Sequence, residues 1–399
     1  MITRQLPLRV PLTDQSQIHE LGRQVFFLSE RIHDFTLHRN ADGSVTEISL
    51  EIDGDPGTAD LEKTFNDFVD REIRNRWGLP GIEFWKSSRD PGDIALHDFD
   101  ALTSAGLFKE IAPGQVLLAE GAVRLYRQLD RALLRRVGSR FTAQEHQYPA
   151  TLPLAVLQRS GYFGSFPQHV YFASRIQGEL PVYEHLARSS GTPELGRLLL
   201  ENAAPVDRVL PPTMCYHTFA QFAGSQVPAG LTCVTSRGAA FRHESRYHRT
   251  AERLSDFTIR ETVFLGPPEQ VEAAVAELRG QVQDLVDELG LAGWCERAND
   301  PFFASGADAG RADTQRMLDL KQELRLPISA TESLAVASFN IHRTHFTESF
   351  DIRGDGAADV HSACVGVGLE RLVYAVLTQF GPDESRWPAL LGAVEGDAV

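Results

Sequence analysis

Nowhere does this sequence hold the roughly 18 consecutive apolar residues that a membrane-crossing helix needs, which excludes the helical membrane class. The opening stretch MITRQLPLRVPLTDQ lacks the apolar core of a secretory signal, so the cytoplasm is the expected compartment. Cysteine is scarce. Cys215, Cys233, Cys295 and Cys364 lie far apart with no C-x-x-C pair, so a disulfide framework is not expected in so large a chain. Positive charge is in deficit, with 39 Lys and Arg against 54 Asp and Glu and a formal net charge of -15. Nucleic-acid binders gain affinity by releasing counterions to a basic surface, and this balance weighs against a nucleic acid as the main partner. Internal repeats and low-complexity segments are absent as well.

What is present is the composition of a globular protein: 399 residues, 42% apolar and 23% charged, enough for two or three domains with sizeable cores. Residues 1–95 read as a small α+β domain that carries no chemical motif. LPLRVPL predicts a strand and QSQIHELGRQVFFLSERI a helix, while DFTLHRN and SVTEISLEI form a hairpin across ADG. An amphipathic helix follows over TADLEKTFNDFVDREIRNRW, with Leu61, Phe65, Phe68, Val69 and Ile73 on one face. The polar loop KSSRDPGDIALHD marks the boundary, and residues 96–399 form the second domain.

In that second domain QVLLAEGAVRLYRQLDRALLRRVGSRF predicts a helix with Leu118, Val123, Tyr126, Leu129, Leu133 and Leu134 buried. Arg124, Arg127, Arg131, Arg135 and Arg136 crowd its other side, either as a solvated face or as a docking surface for an acidic partner. PPEQVEAAVAELRGQVQDLVDELGLAG predicts a scaffold helix that begins at Pro267–Pro268 and stops near Gly290 or Gly293. GWCERANDPFFASGADAGRADTQRMLDLKQELRLP reads as irregular chain and then a short helix, and SLAVASFNIHR and ESFDIR read as strands.

Two stretches carry chemistry. GAAFRHESRYHRTAERLSDFTIRETVF reads as two antiparallel strands joined by a basic loop. It places Arg242 at one strand end and Phe257 on the returning strand, and a planar cation beside an aromatic face suits the phosphate and base of a nucleotide. HSACVGVGLER, followed by LVYAVL, reads as a strand closely approached by a ligand and running into a helix that carries Arg371. Alone, the first is compatible with a salt-bridged surface hairpin and the second with plain helix–sheet packing.

Together and in this order, Phe-Arg-x-Glu, loop, Arg-x-x-x-Phe and later Gly-x-Gly-x-Glu-Arg resemble motifs 2 and 3 of class II aminoacyl-tRNA synthetases. Tyr148–Pro153, continuing to Gly161–Phe166, looks like motif 1, the strand at that fold's dimer interface, and the resemblance spans roughly residues 105–390. RLSDFTIRE and PPTMCYHT are similar to the seryl-type branch and, more narrowly, to the amino acid:[carrier protein] ligases, truncated relatives of the zinc-dependent seryl-tRNA synthetases of methanogens. The resemblance implies an α+β fold: a class II antiparallel sheet flanked by helices, beside a smaller N-terminal α+β domain. It implies a homodimer that activates a small amino acid with ATP and Mg²⁺ and passes it to the phosphopantetheine thiol of an acidic carrier protein. Seryl-type tRNA aminoacylation and a non-catalytic regulator on the same scaffold are the alternatives.

Carried over position by position, the resemblance gives Arg242 the α-phosphate and the substrate carboxylate, and Arg371 the γ-phosphate. Glu244, Arg253, Phe257 and Glu332 complete the ATP site, with Glu244 reading the adenine amino group and Phe257 stacking on the ring. Ser338 and Asn340 join Arg242 around the amino acid. Cys215, Glu261 and Cys364 match the family's zinc ligands. Two thiolates and a carboxylate suit Zn²⁺ and leave a fourth position for the substrate amine. His217, His243, His342, His345 and His361 are candidate supporting donors, while Cys233 and Cys295 match nothing and are expected to be core thiols. One departure stands out: the family places an acid where this chain has Ala335, and the nearest is Glu332.

Overall fold

The structure, a computed structural model, describes residues 1–54, 58–74, 82–243, 250–298, 320–355 and 359–388. Strands β1 (Ile2–Leu12), β2 (Ile32–Arg39) and β3 (Val45–Ile52) form an antiparallel sheet in the order β1-β3-β2. Helices α1 (Gln15–Gln24) and α2 (Thr58–Phe68) cover it, and Leu6, Leu12, Leu21, Ile48, Leu50 and Phe65 close its core. Proline cannot donate to a ladder, and Pro7 and Pro11 both sit on the edge strand β1, where the register shifts. Asn66 of α2 repairs the gap. Its amide nitrogen donates to the Pro7 carbonyl at 2.9 Å, and its oxygen accepts from the Arg9 backbone at 2.7 Å.

The second sheet has eight strands: β4 (Glu83–Lys86), β5 (Gln144–His146), β6 (Thr232–Phe241), β7 (Asp256–Gly266), β8 (Trp294–Arg297), β9 (Lys321–Pro327), β10 (Ser333–Arg343) and β11 (His361–Gly368). Their order is β4-β8-β9-β10-β11-β7-β6-β5, antiparallel throughout except for the parallel edge strand β5. β4 therefore belongs to this sheet although it lies inside the range 1–95 that the sequence suggests for the first domain. Helices α3 (Glu120–Arg140), α5 (Pro268–Glu288) and α6 (Leu369–Phe380) pack on one face. The short helix α4 (Cys215–Gln221) packs with strands β7 and β11 in a separate core on the other.

α5 buries the stripe its periodicity predicts, Val271, Ala274, Val275, Leu278, Val282, Leu285 and Val286. Each fully buried Val or Leu contributes roughly 1.5–3 kcal/mol. Pro268 stands in its first turn, and Gly290, at φ +64°, takes the left-handed turn that ends it. α3 starts later than expected, because Gln115–Leu118 pairs as a strand with Phe108–Ala112. Its buried stripe is accordingly Ala122, Leu125, Leu129, Ala132, Leu133 and Val137, with Val123, Tyr126 and Leu134 only half-buried. ESFDIR is not a strand. His345–Ser349 is helical, and only Arg353–Gly354 pairs. Of the expected motif 1 segment, Leu152–Pro153 pairs as a short strand with Arg208–Val209 and Tyr162–Ser165 is a short helix, with the sheet strand β5 just upstream. GWCER contains a true strand, and the short helix expected after it lies outside the described residues.

Asp130 on α3 is buried and ties the helix to the sheet. It accepts Arg260 Nε at 2.7 Å and Nη2 at 3.0 Å, and also Arg237 Nη1 at 2.9 Å, while Arg260 Nη1 reaches Glu145 at 2.8 Å. Removing one partner of a buried pair strands the other charge. Asp130→Ala is expected to cost about 3–5 kcal/mol in denaturant melts. Asp130→Leu/Arg260→Met should recover most of that loss, since the partners left behind, Arg237 and Glu145, are both about half exposed and no buried charge is stranded.

Candidate functional site

The sheet face opposite the long helices opens into a cavity of about 730 Å³. Its floor is laid out by strand register. Glu261 of β7 pairs with Gly366 of β11, which pairs with Ser338 of β10, which pairs with Glu323 of β9. One pleat further along, Cys364 pairs with Asn340 and Asn340 with Lys321. Partners in a ladder project to the same face, so these rows present their side chains together. A Cβ on Gly366 would lie 3.4 Å from Glu261 Oε1, and anything larger would fill the space in front of that carboxylate.

Cys215 enters from α4, which precedes the hairpin in the chain. Its sulfur, the Cys364 sulfur and a Glu261 oxygen all lie within 4.8 Å of one another, and all three residues are buried. Thr213 Oγ1 donates to Glu261 Oε2 at 2.7 Å, and Asn340 Nδ2 lies 3.6 Å from Cys364 Sγ. The Cys364 thiol is held well above its ordinary pKa, first by its hydrogen bond with Cys215, then by burial and by the Glu261 charge. A divalent cation bound among these groups would favour the Cys364 thiolate. Thiolate, thiolate and carboxylate are a donor set that suits zinc. Among the described residues this is the group of His, Cys, Asp and Glu side chains positioned to share an ion.

The histidines divide. His342 Nε2 lies 3.5 Å from Cys364 Sγ, and its ring packs edge-on against Phe219 and Phe346. His217 stacks on Tyr148 at 5.2 Å, and burial lowers its pKa to about 4, so its ring is neutral. His345 lines the cavity, His361 pairs with Gly266 at the far end of the ladder, and His243 packs edge-on against Tyr171. Cys233 and Cys295 are core thiols as expected, with burial raising their pKa values to about 12 and about 11.

At the other end of the cavity the Phe257 ring meets two guanidinium groups, Arg242 at 5.4 Å and Arg371 at 5.9 Å from its centroid. Arg242 Nε donates to the Pro212 carbonyl at 2.8 Å, and Arg371 Nη1 to the Ala335 carbonyl at 3.2 Å, which fixes both forks. Glu370 accepts the Thr258 backbone N–H at 2.7 Å and the Thr258 hydroxyl at 2.9 Å, so it bolts the start of α6 to the strand carrying Phe257. Burial raises its pKa.

Arg242, Phe257, Glu261, Ser338, Asn340, Cys215, Cys364 and Arg371 all line the one cavity. Glu332 does not. It sits in the turn between β9 and β10, where its backbone hydrogen-bonds with Ile328 and Ser329 and closes the hairpin away from the cavity. Arg253, at the end of the basic loop, is also absent from the described lining, and Glu244 lies outside the described residues. Sequence reading missed Thr213, Lys321 and Glu323. The alternation in KQELRLP was the available signal for the last two, which project to one face at positions i and i+2.

No family model matches the chain. Among curated proteins it is 32% identical over 257 residues to an amino acid--[acyl-carrier-protein] ligase (ligase 2) of Bradyrhizobium diazoefficiens, covering 63% of this chain and 75% of that protein. It is 26% identical over 299 residues to the type-2 serine--tRNA ligase of Methanothermobacter thermautotrophicus, covering 71% of this chain and 56% of that longer protein. Among solved structures, the M. kandleri SerRS in complex with A. aeolicus tRNASec superposes with a TM-score of 0.71 at 20% identity, covering 90% of this chain and 72% of that one. A cytoplasmic serine-tRNA ligase from Naegleria fowleri in complex with AMP gives 0.57 at 12% identity, covering 84% and 71%. These two likenesses establish a shared fold.

Proposed function

Because the chain belongs to the family of amino acid--[acyl-carrier-protein] ligases, enzymes of the class II synthetase type, we propose that it activates a small amino acid with ATP and delivers it to a carrier protein's phosphopantetheine thiol. The observation that carries this reading is the joining, in one cavity, of a soft metal-donor set and an arginine-flanked aromatic face. A binding site for an amine thereby adjoins a binding site for a nucleotide.

In this reading Phe257 stacks on adenine, and Arg371 holds the terminal phosphate. Arg242 holds the α-phosphate and the substrate carboxylate in line with it. A carboxylate oxygen attacks the α-phosphorus, and pyrophosphate leaves with the bridging oxygen. In the second half-reaction the thiol attacks the adenylate carbonyl, loses its proton, and expels AMP. Arg242 and Arg371 are fixed before the charge develops, which is where such donors gain their effect. Cys215, Glu261 and Cys364 would hold zinc, with Thr213 and Asn340 orienting two of them. Zinc, when bound, supplies a Lewis-acid grip for a free α-amine. Magnesium would accompany ATP and neutralise charge on its phosphates. Ser338 and Asn340 floor the amino-acid end.

The ligase reading is favoured over tRNA aminoacylation by the higher identity to the carrier-protein ligases and by the net charge of -15. Arg127 and Arg135 on α3 are exposed, which supports docking of an acidic carrier there, whereas Arg124 and Arg136 are paired with Glu384 and Glu288. A homodimer and a cytoplasmic location belong to the same reading. No helix among the described residues is long and apolar enough to cross a membrane.

The test is amino-acid-dependent ATP–pyrophosphate exchange across all twenty amino acids, with zinc measured on the same sample. Thioester formation on a phosphopantetheinylated carrier is then read by intact mass. Zinc-loaded protein that no amino acid stimulates would end the enzyme reading.

A further inference from the structure

The unit built on β1–β3 carries no chemical motif, yet one of its side chains reaches the wall of the cavity. Phe27, on the single helical turn Val25–Leu28, meets the ring of His169 edge-on, with centroids 6.0 Å apart and planes at 86°. His169 ends the turn Pro167–His169, is buried, and lines the cavity. Among the described residues this is the ring contact that joins the N-terminal unit to the body of the second sheet.

His169 grips one residue twice. Its carbonyl accepts the His243 backbone N–H at 3.1 Å, and its Nδ1 donates to the His243 carbonyl at 2.9 Å. A carbonyl only accepts, so this bond places a proton on Nδ1. His243 directly follows Arg242, whose own N–H donates to the Ser255 carbonyl at 3.0 Å. Peptide units are rigid planes. The plane before Arg242 is therefore held by Ser255, and the plane after it by His169. The Nδ1 bond adds a second point to that clamp, so the chain cannot pivot about the first. Unlike the backbone partners, an imidazole keeps its aim only while its side-chain torsions stay put, and the edge of Phe27 packs against that ring.

We propose that His169 is a positioning residue for adenylate formation. It aligns Arg242 through the backbone of His243, and Phe27 braces it, so the N-terminal unit sets the precision of the nucleotide end of the site. That gives the unit a part in the reaction although none of its side chains meets the substrate.

This inference rests on the adenylate-forming reading above, and the experiment separates the two. Single-turnover adenylate formation is measured on zinc-loaded protein at saturating ATP and amino acid, beside the Kd of a non-hydrolysable ATP analogue and the zinc content. His169→Ala is expected to slow the saturated rate about tenfold or more, because a displacement of about 1 Å in a positioned group costs up to about 10²-fold. Analogue affinity should fall less than the rate, and zinc should stay unchanged. His169→Asn, whose amide nitrogen stands as many bonds from the backbone as Nδ1, is expected to recover most of the rate. Phe27→Ala is expected to slow the same step about two- to tenfold, the scale of one aromatic pair. Combined with His169→Ala or His169→Asn it should have no further effect, since no ring remains to brace. Should His169→Ala misfold, Phe27→Ala alone and with His169→Asn carries the test. A wild-type saturated rate in folded His169→Ala or Phe27→Ala, or equal slowing by Phe27→Ala with and without the His169 ring, overturns the inference alone. Wild-type protein in which no amino acid supports adenylate formation overturns both readings.

Discussion

Cys364→Ser is expected to lose bound zinc and amino-acid-dependent pyrophosphate exchange together. Cys364 sits at the crossing of three strands, between Val263 of β7 and Asn340 of β10 in register, and its sulfur completes the set with Cys215 and Glu261. A serine hydroxyl is a poorer metal ligand than a thiolate because it does not ionise at neutral pH. The remaining thiol and carboxylate then face the ion as a pair. The affinity loss should exceed the roughly 100-fold that follows from removing a mere outer partner of a metal ligand. The matched control is Cys233→Ser, which buries a hydroxyl in the opposite core and should cost about 1–3 kcal/mol of stability while leaving zinc in place. Zinc retained at full stoichiometry by the Cys364 variant would refute the ligand assignment. Chelation of the wild-type protein should abolish exchange, and added zinc should restore it.

Arg242→Ala is expected to lower the rate of adenylate formation by about 10²–10³-fold, equivalent to about 2.7–4 kcal/mol, with zinc content unaffected. The reason is positional. Arg242 is pinned at the end of β6 by the Pro212 carbonyl and by its own backbone bond to Ser255, with its fork beside Phe257. It therefore meets developing charge on phosphate without first reorganising. Arg242→Lys should recover little, because a point charge does not reproduce a planar fork. Single-turnover kinetics decide the matter. A variant in which KM rises while kcat holds would reduce Arg242 to ordinary substrate binding.

These expectations differ in how far they were visible before folding. The strands of the 232–266 hairpin and the stripe of α5 were legible because their signals are local: alternation over a few residues, a proline at a helix start, a glycine at its end. Local pattern failed where tertiary contact overrode it. Gln115–Leu118 continues the apolar run of the helix behind it, yet pairs with Phe108–Ala112 instead. ESFDIR alternates like a strand, but Phe346 and Phe350 turn inward onto Phe219 and draw the chain into a helix. The basic stripe of α3 read as one surface, whereas Arg136 is bound to the neighbouring helix and only part of the stripe faces solvent.

By itself the sequence determined the kinds of groups available and the order in which they arrive: a cysteine before the hairpin, a glutamate on its returning strand, a cysteine and an arginine at the last strand and helix. Which of them meet was decided by the sheet. Ladder register joins residues that are remote along the chain, and a slip of one residue would turn every one of these side chains to the other face. That register put Glu261 and Cys364 beside each other and set Glu323, rather than Glu332, against the cavity. Pairing between distant strands depends on the whole core closing around them, and no local window of residues contains it.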